Sequence, residues 1–341
     1  MTASGKTLTI DVNLDYPAAW LLKADPLKHI APEHDLNKWM NRYGLLPNQE
    51  SRTRSRKTHN GHCSVDCFPR AAADRLSTVT RFLGLWFLYE DASEGHDADT
   101  RATSIGQAVG GFLKGHDTSD LWMQAWSHIG EEFTQSMSEA WRARFARHFE
   151  SWQQSVKDEA NLFHTYGAQV PAIEYTTVRH HSIGLYTWVD LIEFTAGREL
   201  PTPAFWDPDV IEIWQIAREI SILQNDLYGV SKDAAAGWCN LVFSVAHERD
   251  MNWGNSCRHL AAEIQRLIKR CHTVETRIRS GGLGIEWWLD ALKHLLAGLL
   301  IWTNRAPRYS SLHRQTDGTN IRIKMTWTPE TKHANTEVLS S

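Results

Sequence analysis

Most of the chain repeats apolar residues at the spacing of an α-helix. Over residues 76–87 and 210–220, for example, they recur at i, i+3 and i+4, which gives a helix one face to bury. Pro69, Pro171 and Gly197 interrupt the periodic stretches where helices should begin or end. Strand-like alternation is seen mainly in TLTIDVNL near the start and IRIKMTW near the end. The pattern predicts an all-α fold.

The chain shows no internal repeat and no low-complexity linker between two helical domains. The periodic stretches therefore predict one helical domain at residues 34–310. A glycine-rich turn at residues 281–284 precedes its last long helix, which Pro307 ends. Residues 1–33 are expected to form an N-terminal arm, and residues 311–341 a loosely held polar tail.

Composition excludes several classes of protein. The 36 basic and 40 acidic residues give a net charge of −4, so no basic excess points to nucleic acid. The longest strongly apolar run, LLAGLLIW, is too short to span a bilayer, and the first residues lack the pattern of a secretory signal. Five cysteines do not suit a disulfide scaffold and fit a reducing compartment. We therefore expect a cytoplasmic protein.

Three carboxylates, Glu90, Asp91 and Glu94, directly follow an aromatic and apolar stretch. On a helix, positions 90 and 94 share one face and position 91 lies beside them. Such a cluster is either a solvated helix end or a site for a hard cation such as Mg²⁺, which prefers oxygen ligands. The motif alone leaves both interpretations open.

A second group of oxygen ligands lies in NDLYGVSKD, where Asn225, Gly229 and Asp233 are spaced four residues apart along one helical stripe. Gly229 has no side-chain oxygen, and a glycine inside a helix indicates a kink or a close approach. Lys232, beside the last carboxylate, is placed to reach a phosphate. Taken alone, the stripe is equally typical of a solvated helix face.

Two further sets of donors are candidates for anion binding. Arg179 lies in an otherwise apolar stretch predicted as one helix from Ala172 to Thr195, where a guanidinium needs a partner. That partner is either a phosphate or a buried carboxylate. Arg308 and Tyr309 follow the last helix as a pair of donors, or as part of a surface turn. Neither set is decisive by itself.

In this order and register, the four motifs resemble those of bacterial-type class I terpene synthases. LWFLYEDASEG stands where that family carries its motif DDxxD or DDxxE, and NDLYGVSKD stands where it carries NDxxSxxxE. Arg179 is 46 residues upstream of Asn225, at the position of the family's diphosphate sensor. WTNRAPRY matches a terminal Arg-Tyr pair, and the resemblance covers residues 34–310.

The resemblance implies a helical bundle around a deep apolar cavity, with two metal motifs facing each other across its mouth. It implies three Mg²⁺ ions held by Glu90, Asp91, Glu94, Asn225, Gly229 and Asp233. It implies that the diphosphate of an isoprenyl substrate is bound by Arg179, Lys232, Arg308 and Tyr309. Aromatic faces would stabilise a carbocation, and the matching positions, for which plain core packing is the alternative, are Trp86, Phe87 and Trp302.

The sequence departs from the family pattern at the metal positions. Glu90 replaces an aspartate and is one methylene longer, whereas Asp233 replaces a glutamate and is one methylene shorter. Because Mg²⁺ tolerates little geometric error, these two changes either compensate across the mouth or alter the site. Gly229 replaces a serine or threonine and removes one oxygen ligand, whose place a water could take.

The sequence thus predicts a Mg²⁺-dependent lyase that cyclises a linear isoprenyl diphosphate, with farnesyl diphosphate as the usual substrate of the family. Another chain length, a methylated diphosphate and a homodimer stay open. A chain-elongating prenyltransferase should carry two DDxxD motifs, whereas the second motif here is NDxxGxxxD. A non-catalytic isoprenoid-binding relative with a decayed metal site is the remaining alternative, although a lipid binder has no use for four diphosphate-binding residues.

Two other clusters of polar residues are not expected to form a chemical site. HNGHCSVDC lacks the paired CxxC spacing of zinc sites and is interpreted as a loop that carries His59, His62, Cys63 and Cys67. A basic stretch further on is interpreted as a solvated helix face formed by Arg142, Arg144 and Arg147.

Overall fold

Helices form most of the regular structure, which confirms the all-α prediction. The computed structural model describes residues 6–22, 25, 27–93, 119–167, 169–309, 312–314 and 320–327. Within them the helices are α1 (Ile30–Arg42), α2 (Gln49–Thr58), α3 (Asn60–Cys67), α4 (Ala73–Ser93), α5 (Leu121–Ser136), α6 (Glu139–Tyr166), α7 (Ala172–Ser182), α8 (Leu185–Ala196), α9 (Pro208–Ala236), α10 (Leu241–Glu248), α11 (Trp253–Ser280) and α12 (Glu286–Arg305). No helix among these residues is long and apolar enough to cross a membrane.

Helix α9 has clear signals at both ends. The Asp207 carboxylate accepts hydrogen bonds from the backbone N–H groups of Asp209 and Val210, and Pro208 occupies the first turn. Gly237 ends the helix in the left-handed conformation, with φ of +67°. The NDLYGVSKD motif therefore lies on one uninterrupted helix, as its spacing predicts.

The stretch around Arg179 is not one helix, as the sequence predicted, but two. It breaks between α7 and α8 at Gly184, which has a φ of +68°. A Cβ atom there would lie 2.4 Å from Trp86 Cζ2 and 2.9 Å from Trp152 Cδ1, so only glycine lets the two indoles pack against the break. The apolar periodicity continues across the break and conceals it in the sequence.

The two ends of the chain pair with each other. Antiparallel strands β1 (Lys6–Asn13) and β3 (Asn320–Trp327) are in register over their full length, and β2 (Leu312–Arg314) pairs with the other edge of β3. Ile10, Val12 and Ile323 are buried on the face that packs against the helices. This part of the tail is therefore held in a sheet, contrary to the sequence interpretation. Sequence periodicity shows an apolar face but not its partner, which here lies more than 300 residues away.

Aromatic side chains fill the core between α4, α5 and α6. The ring of Phe82 lies 5.5–6.3 Å from those of Trp126, Phe133, Phe145 and Phe149, mostly in tilted or edge-to-face orientations. Such geometries are the favoured ones for aromatic pairs. Much of the tryptophan and phenylalanine content therefore serves packing.

Arg144 is not part of a solvated face, because it neutralises two carboxylates of α8. Its Nε donates to Asp190 Oδ1 at 2.8 Å and its Nη2 to Glu193 Oε1 at 2.5 Å. Both carboxylate side chains are completely buried, and His148 Nδ1 lies 2.7 Å from Asp190 Oδ2. Buried carboxylates require such partners, and the sequence does not show that these two are buried.

The Glu193 carboxylate should make stability depend on pH. Burial raises its pKa from 4.5 to about 7, although Arg144 opposes the shift. Between these values the folded chain binds more protons than the unfolded chain, so the free energy of unfolding should fall as pH rises from 4.5 to 7. Glu193→Gln should remove this contribution. Urea unfolding at about pH 5, 6 and 7 measures the slope, and equal slopes in both proteins would contradict the assignment.

The HNGHCSVDC segment is helix α3 and not a loop. His59 joins α2 to α3 with a φ of +54°, and His62 stacks on His29 with the ring centroids 3.6 Å apart. Cys63 and Cys67 are free and buried. Stacked imidazole rings direct their nitrogens away from a common point, so this cluster is part of the packing of α3.

Candidate active site

Two adjoining cavities lie between α4, α7 and α9, with α6 also lining the first and α8 and α12 also lining the second. The first, called here the polar cavity, has a volume of about 160 Å³ and is lined by charged side chains. The second, the aromatic chamber, has a volume of about 100 Å³ and is lined mainly by apolar rings and aliphatic side chains. The two share the lining residues Glu90, Arg179, Ser182, Asn225 and Tyr309.

On the α4 side, both described carboxylates of the first motif have basic or indole partners. Trp86 Nε1 donates to Glu90 Oε1 at 2.8 Å, and Arg308 Nη1 donates to Asp91 Oδ1 at 2.6 Å. Arg308 Nη2 also lies 3.8 Å from Glu90 Oε2. Glu94, the third predicted ligand, lies outside the described residues. The segment that follows α12 is thus joined to α4 by an ion pair at the edge of the polar cavity.

On the α9 side, the predicted ligands face the same cavity. Asn225 Oδ1 accepts a hydrogen bond from Arg179 Nη2 at 2.8 Å, and Asp233 Oδ2 accepts one from Asn240 Nδ2 at 2.8 Å. A Cβ atom on Gly229 would lie 2.9 Å from Asp233 Oδ2. Gly229 has no side-chain oxygen, and its lack of a Cβ leaves room for the Asp233 carboxylate. Burial raises the pKa of Asp233 to about 7, with Lys232 and Asn240 opposing.

Gly229→Ser should weaken the binding of Mg²⁺ together with inorganic diphosphate by roughly three- to tenfold, because the new Cβ displaces Asp233 from Asn240. Isothermal titration of the variant measures the change. Gly281→Ser, at the end of α11 with a φ of −74° and the nearest atom 3.4 Å from its Cβ position, is the matched control for serine substitution. Unchanged binding by Gly229→Ser would show that Asp233 is not constrained by the glycine.

Arg179 is the centre of a buried polar network. Its side chain is 8% exposed, and Nη2 donates to Asp226 Oδ1 at 3.0 Å as well as to Asn225. Nη1 lies 3.2 Å from Ser182 Oγ and 3.4 Å from Glu159 Oε2. Burial raises the pKa of Asp226, and Arg179 opposes this shift. Of the two partners that the sequence allowed, the structure provides carboxylates and leaves the arginine at the wall of the polar cavity.

Asp226 and Glu159 were missed as partners of Arg179. Asp226 is the second residue of NDLYGVSKD, so the motif itself contains this carboxylate. The prediction considered only the residues spaced four apart and therefore left Asp226 out. Its Oδ2 also accepts a hydrogen bond from the backbone N–H of Leu241, which connects the network to the start of α10. Glu159 carries no sequence signal, because its role depends on how α6 packs against α7.

The three aromatic residues singled out in the sequence all line the chamber. Phe87 lies 5.2 Å from Trp302 between ring centroids, and Trp302 lies 5.7 Å from Tyr309 in an edge-to-face pair. Trp86 stacks on Trp152 at 3.5 Å, so one of its faces is covered. Trp188, which the sequence analysis missed, also lines the chamber. The same rings therefore pack against one another in the core and form the wall of the chamber.

The four predicted diphosphate-binding residues all line the polar cavity, and they are Arg179, Lys232, Arg308 and Tyr309. Burial raises the pKa of the Tyr309 hydroxyl, so this group stays protonated and can donate a hydrogen bond at neutral pH. The cavity thus combines acidic oxygens on two helices with basic donors between them. This is the arrangement expected for a polyanion bound through both cations and direct hydrogen bonds.

Among the described residues, no three histidine, cysteine, aspartate or glutamate side chains converge as a preformed metal centre. The available donors are hard oxygens carried by Glu90 on α4 and by Asn225, Asp226 and Asp233 on α9, all of which line the polar cavity. Mg²⁺ commonly takes one or two carboxylates and completes its coordination with waters and phosphate oxygens. The donor set therefore fits a divalent cation that binds together with a phosphorylated ligand.

Comparison with known proteins gives a consistent result. A family model for terpene synthase family 2, C-terminal metal binding, matches residues 81–270, which include the described residues of both acidic motifs. The chain is 24% identical over 297 residues to pentalenene synthase from Streptomyces avermitilis, covering 80% of this chain and 86% of that protein. It is 25% identical over 308 residues to (+)-eremophilene synthase from Sorangium cellulosum, covering 87% and 92%.

Solved structures show the same fold. Linalool/nerolidol synthase from Streptomyces clavuligerus superposes with a TM-score of 0.74 at 21% identity, over 82% of this chain and 97% of that chain. An α-eudesmol synthase superposes with a TM-score of 0.75 at 17% identity, over 86% and 98%. At these identities the superpositions show that the fold is shared, and they bear on the fold alone.

Proposed function

The chain belongs to terpene synthase family 2, and from that membership we propose that it is a Mg²⁺-dependent cyclase of farnesyl diphosphate. Family membership establishes a lyase acting on an isoprenyl diphosphate with a divalent metal. The observation that carries the proposal is the junction of the two cavities. Basic donors and acidic oxygens surround the polar cavity, and it opens beside a chamber walled by aromatic rings.

The leaving diphosphate would be bound in the polar cavity. Arg179 and Arg308 supply guanidinium groups that pair with two phosphate oxygens at once, while Lys232 and Tyr309 supply single donors. Both arginines contact predicted metal ligands in this structure, namely Asn225 and Asp91. Binding of the substrate must therefore shift the guanidinium groups from protein oxygens to phosphate oxygens.

Divalent cations, when bound, would neutralise charge on the diphosphate and make it a better leaving group. Three Mg²⁺ ions are proposed, held by Glu90, Asp91, Asn225 and Asp233 from the two helices. Glu90 accepts a hydrogen bond from Trp86 through Oε1, and its Oε2 lies 3.8 Å from Arg308 Nη2. The longer Glu90 and the shorter Asp233 then stand on opposite walls, where their differences in length can compensate.

The hydrocarbon chain would fold in the aromatic chamber after the carbon–oxygen bond breaks. Phe87, Trp188 and Trp302 present ring edges and faces to this space, and each face can stabilise a cation by about 0.5–2 kcal/mol. Leu185 and Leu299 add aliphatic surface to the same wall. Rings and aliphatic side chains thus cover much of the chamber, and polar side chains such as Glu90 and Ser221 line the rest.

Farnesyl diphosphate is proposed because the resemblance favours that chain length. A fluorinated geranyl diphosphate is bound in one solved linalool/nerolidol synthase whose fold this chain shares, so geranyl diphosphate is the second candidate. Geranylgeranyl and methylated diphosphates are further candidates for the same chamber.

Incubation of the purified protein with geranyl, farnesyl and geranylgeranyl diphosphates, each with Mg²⁺ or EDTA, tests the proposal. We expect a cyclic terpene from farnesyl diphosphate only with Mg²⁺, identified by mass spectrometry of the extracted volatiles. A product from another diphosphate alone would correct the chain length. Binding of isoprenoids without turnover of any substrate would favour a non-catalytic relative.

A further inference from the structure

The wall of the aromatic chamber contains two polar side chains that the proposed chemistry does not use. Gln224 and Ser221 lie on α9 and are 4% and 5% exposed, and both line the chamber. They are three residues apart, so their side chains are neighbours on one face of the helix. Burying a polar group among aromatic rings is costly unless the group is hydrogen-bonded.

Gln224 is oriented by the N-terminal arm. Tyr16, which is 4% exposed, donates a hydrogen bond from its hydroxyl to Gln224 Oε1 at 2.6 Å. This bond occupies the carbonyl end of the amide. Within the described part of the chain, Gln224 makes no second side-chain hydrogen bond. The amide N–H groups are therefore left for a ligand at the chamber wall.

Ser221 has an unused hydroxyl at the same place. Its Oγ is buried and makes no hydrogen bond within the described residues. Other hydroxyls around the chamber are used: Thr303 Oγ1 donates to the Leu299 carbonyl at 2.7 Å, and Ser182 Oγ accepts from Arg179. A buried hydroxyl without a protein partner is usually paired with water, which also needs two or more polar neighbours.

We propose that Gln224 and Ser221 bind one water molecule and that this water captures the carbocation, so that the released product is a terpene alcohol. The inference rests on the proposed function, because it requires the carbocation. Gln224 Nε2 would donate to the water oxygen and Ser221 Oγ would accept from it. The second lone pair of the water oxygen then faces the chamber.

The reaction balances without another reagent. The carbon–oxygen bond of the substrate breaks and its electron pair leaves with the diphosphate. The water oxygen donates a lone pair to the cationic carbon, and the resulting oxonium gives its extra proton to the released diphosphate. Asn225 follows Gln224 directly and lines both cavities, so the water site lies next to the bound diphosphate. The sum is an isoprenyl diphosphate plus water giving an alcohol plus protonated diphosphate.

Turnover in ¹⁸O-labelled water, with both diphosphate release and volatile products measured, tests this inference. The wild type should give mainly an alcohol that carries the label. Gln224→Leu and Ser221→Ala should each lower the ratio of alcohol to hydrocarbon roughly fivefold or more, because each removes one hydrogen bond to the water. Thr303→Val, a loss of a chamber hydroxyl already bonded to the backbone, should leave the ratio unchanged.

Tyr16→Phe provides a second variant outside the chamber wall. It frees the Gln224 amide to rotate and should lower the same ratio while diphosphate release continues. If diphosphate is released and all the products are hydrocarbons, the inference that a bound water captures the cation is overturned. The proposed function would then remain intact. An alcohol whose share does not respond to any of the three variants would also overturn it. No diphosphate release from any substrate would overturn the proposed function and this inference with it.

Discussion

Replacing Arg179 with lysine is expected to lower the rate of diphosphate release by about 10²–10³-fold while the protein stays folded. The guanidinium contacts Ser182, Asn225 and Asp226 through two different nitrogens, at the wall where the diphosphate would lie. Lysine keeps the positive charge beside the buried Asp226 but loses the fork that binds two oxygens at once. Rates are measured with saturating Mg²⁺, and folding is measured by thermal unfolding.

Arg179→Ala separates the structural from the functional role. Because Asp226 and Glu159 would lose their counter-charge, this variant should be destabilised by about 3–5 kcal/mol in addition to losing activity. Arg218→Lys is the matched control on α9, since Arg218 contacts Tyr186 and Glu219 away from both cavities. We expect near wild-type rates for that control. A wild-type rate for Arg179→Lys would remove Arg179 from the site.

Replacing Asp91 with asparagine is expected to lower turnover by about 10²-fold or more and to raise the Mg²⁺ concentration needed for half-maximal rate. The substitution keeps the size of the side chain but removes the charge that Arg308 contacts at 2.6 Å. An amide is also a weaker ligand for a hard cation than a carboxylate. Initial rates over a range of Mg²⁺ concentrations measure both effects.

Asp74→Asn is the matched control for Asp91→Asn, because Asp74 is an exposed carboxylate in the first turn of the same helix α4. Its loss should leave the Mg²⁺ dependence unchanged. If Asp91→Asn also kept the wild-type rate and Mg²⁺ dependence, the Asp91 carboxylate would serve only its ion pair with Arg308.

Local signals in the sequence were sufficient for α9, the helix that carries the second acidic motif. Helix α9 has a capping aspartate, a proline in its first turn and a terminal glycine. All three can be recognised from neighbouring residues in the sequence. The break at Gly184 was missed because it depends on Trp86 and Trp152 packing against it from other helices. The pairing of β1 with β3 was missed for the same reason, since it joins the two ends of the chain.

The motifs indicated which residues carry chemistry but not what each contacts. The structure places the described candidates on the walls of the two cavities except Asp91, which contacts the wall residue Arg308, and their roles remain proposals. Gly229 stays a predicted position of the metal motif, and the Asp233 carboxylate lies close to the place that a Cβ would take there. Gln224 was missed because glutamine in a helix is unremarkable until its burial and its bond to Tyr16 are known.

The central claim is that this chain ionises an isoprenyl diphosphate with the help of Mg²⁺. The most direct measurement follows diphosphate release from farnesyl diphosphate together with the extracted terpene, first with Mg²⁺, then after EDTA, then after Mg²⁺ is restored. We predict that both products form in equal amounts, stop with EDTA and resume with Mg²⁺. Release that continues in EDTA, or no release in any of the three conditions, would contradict the account.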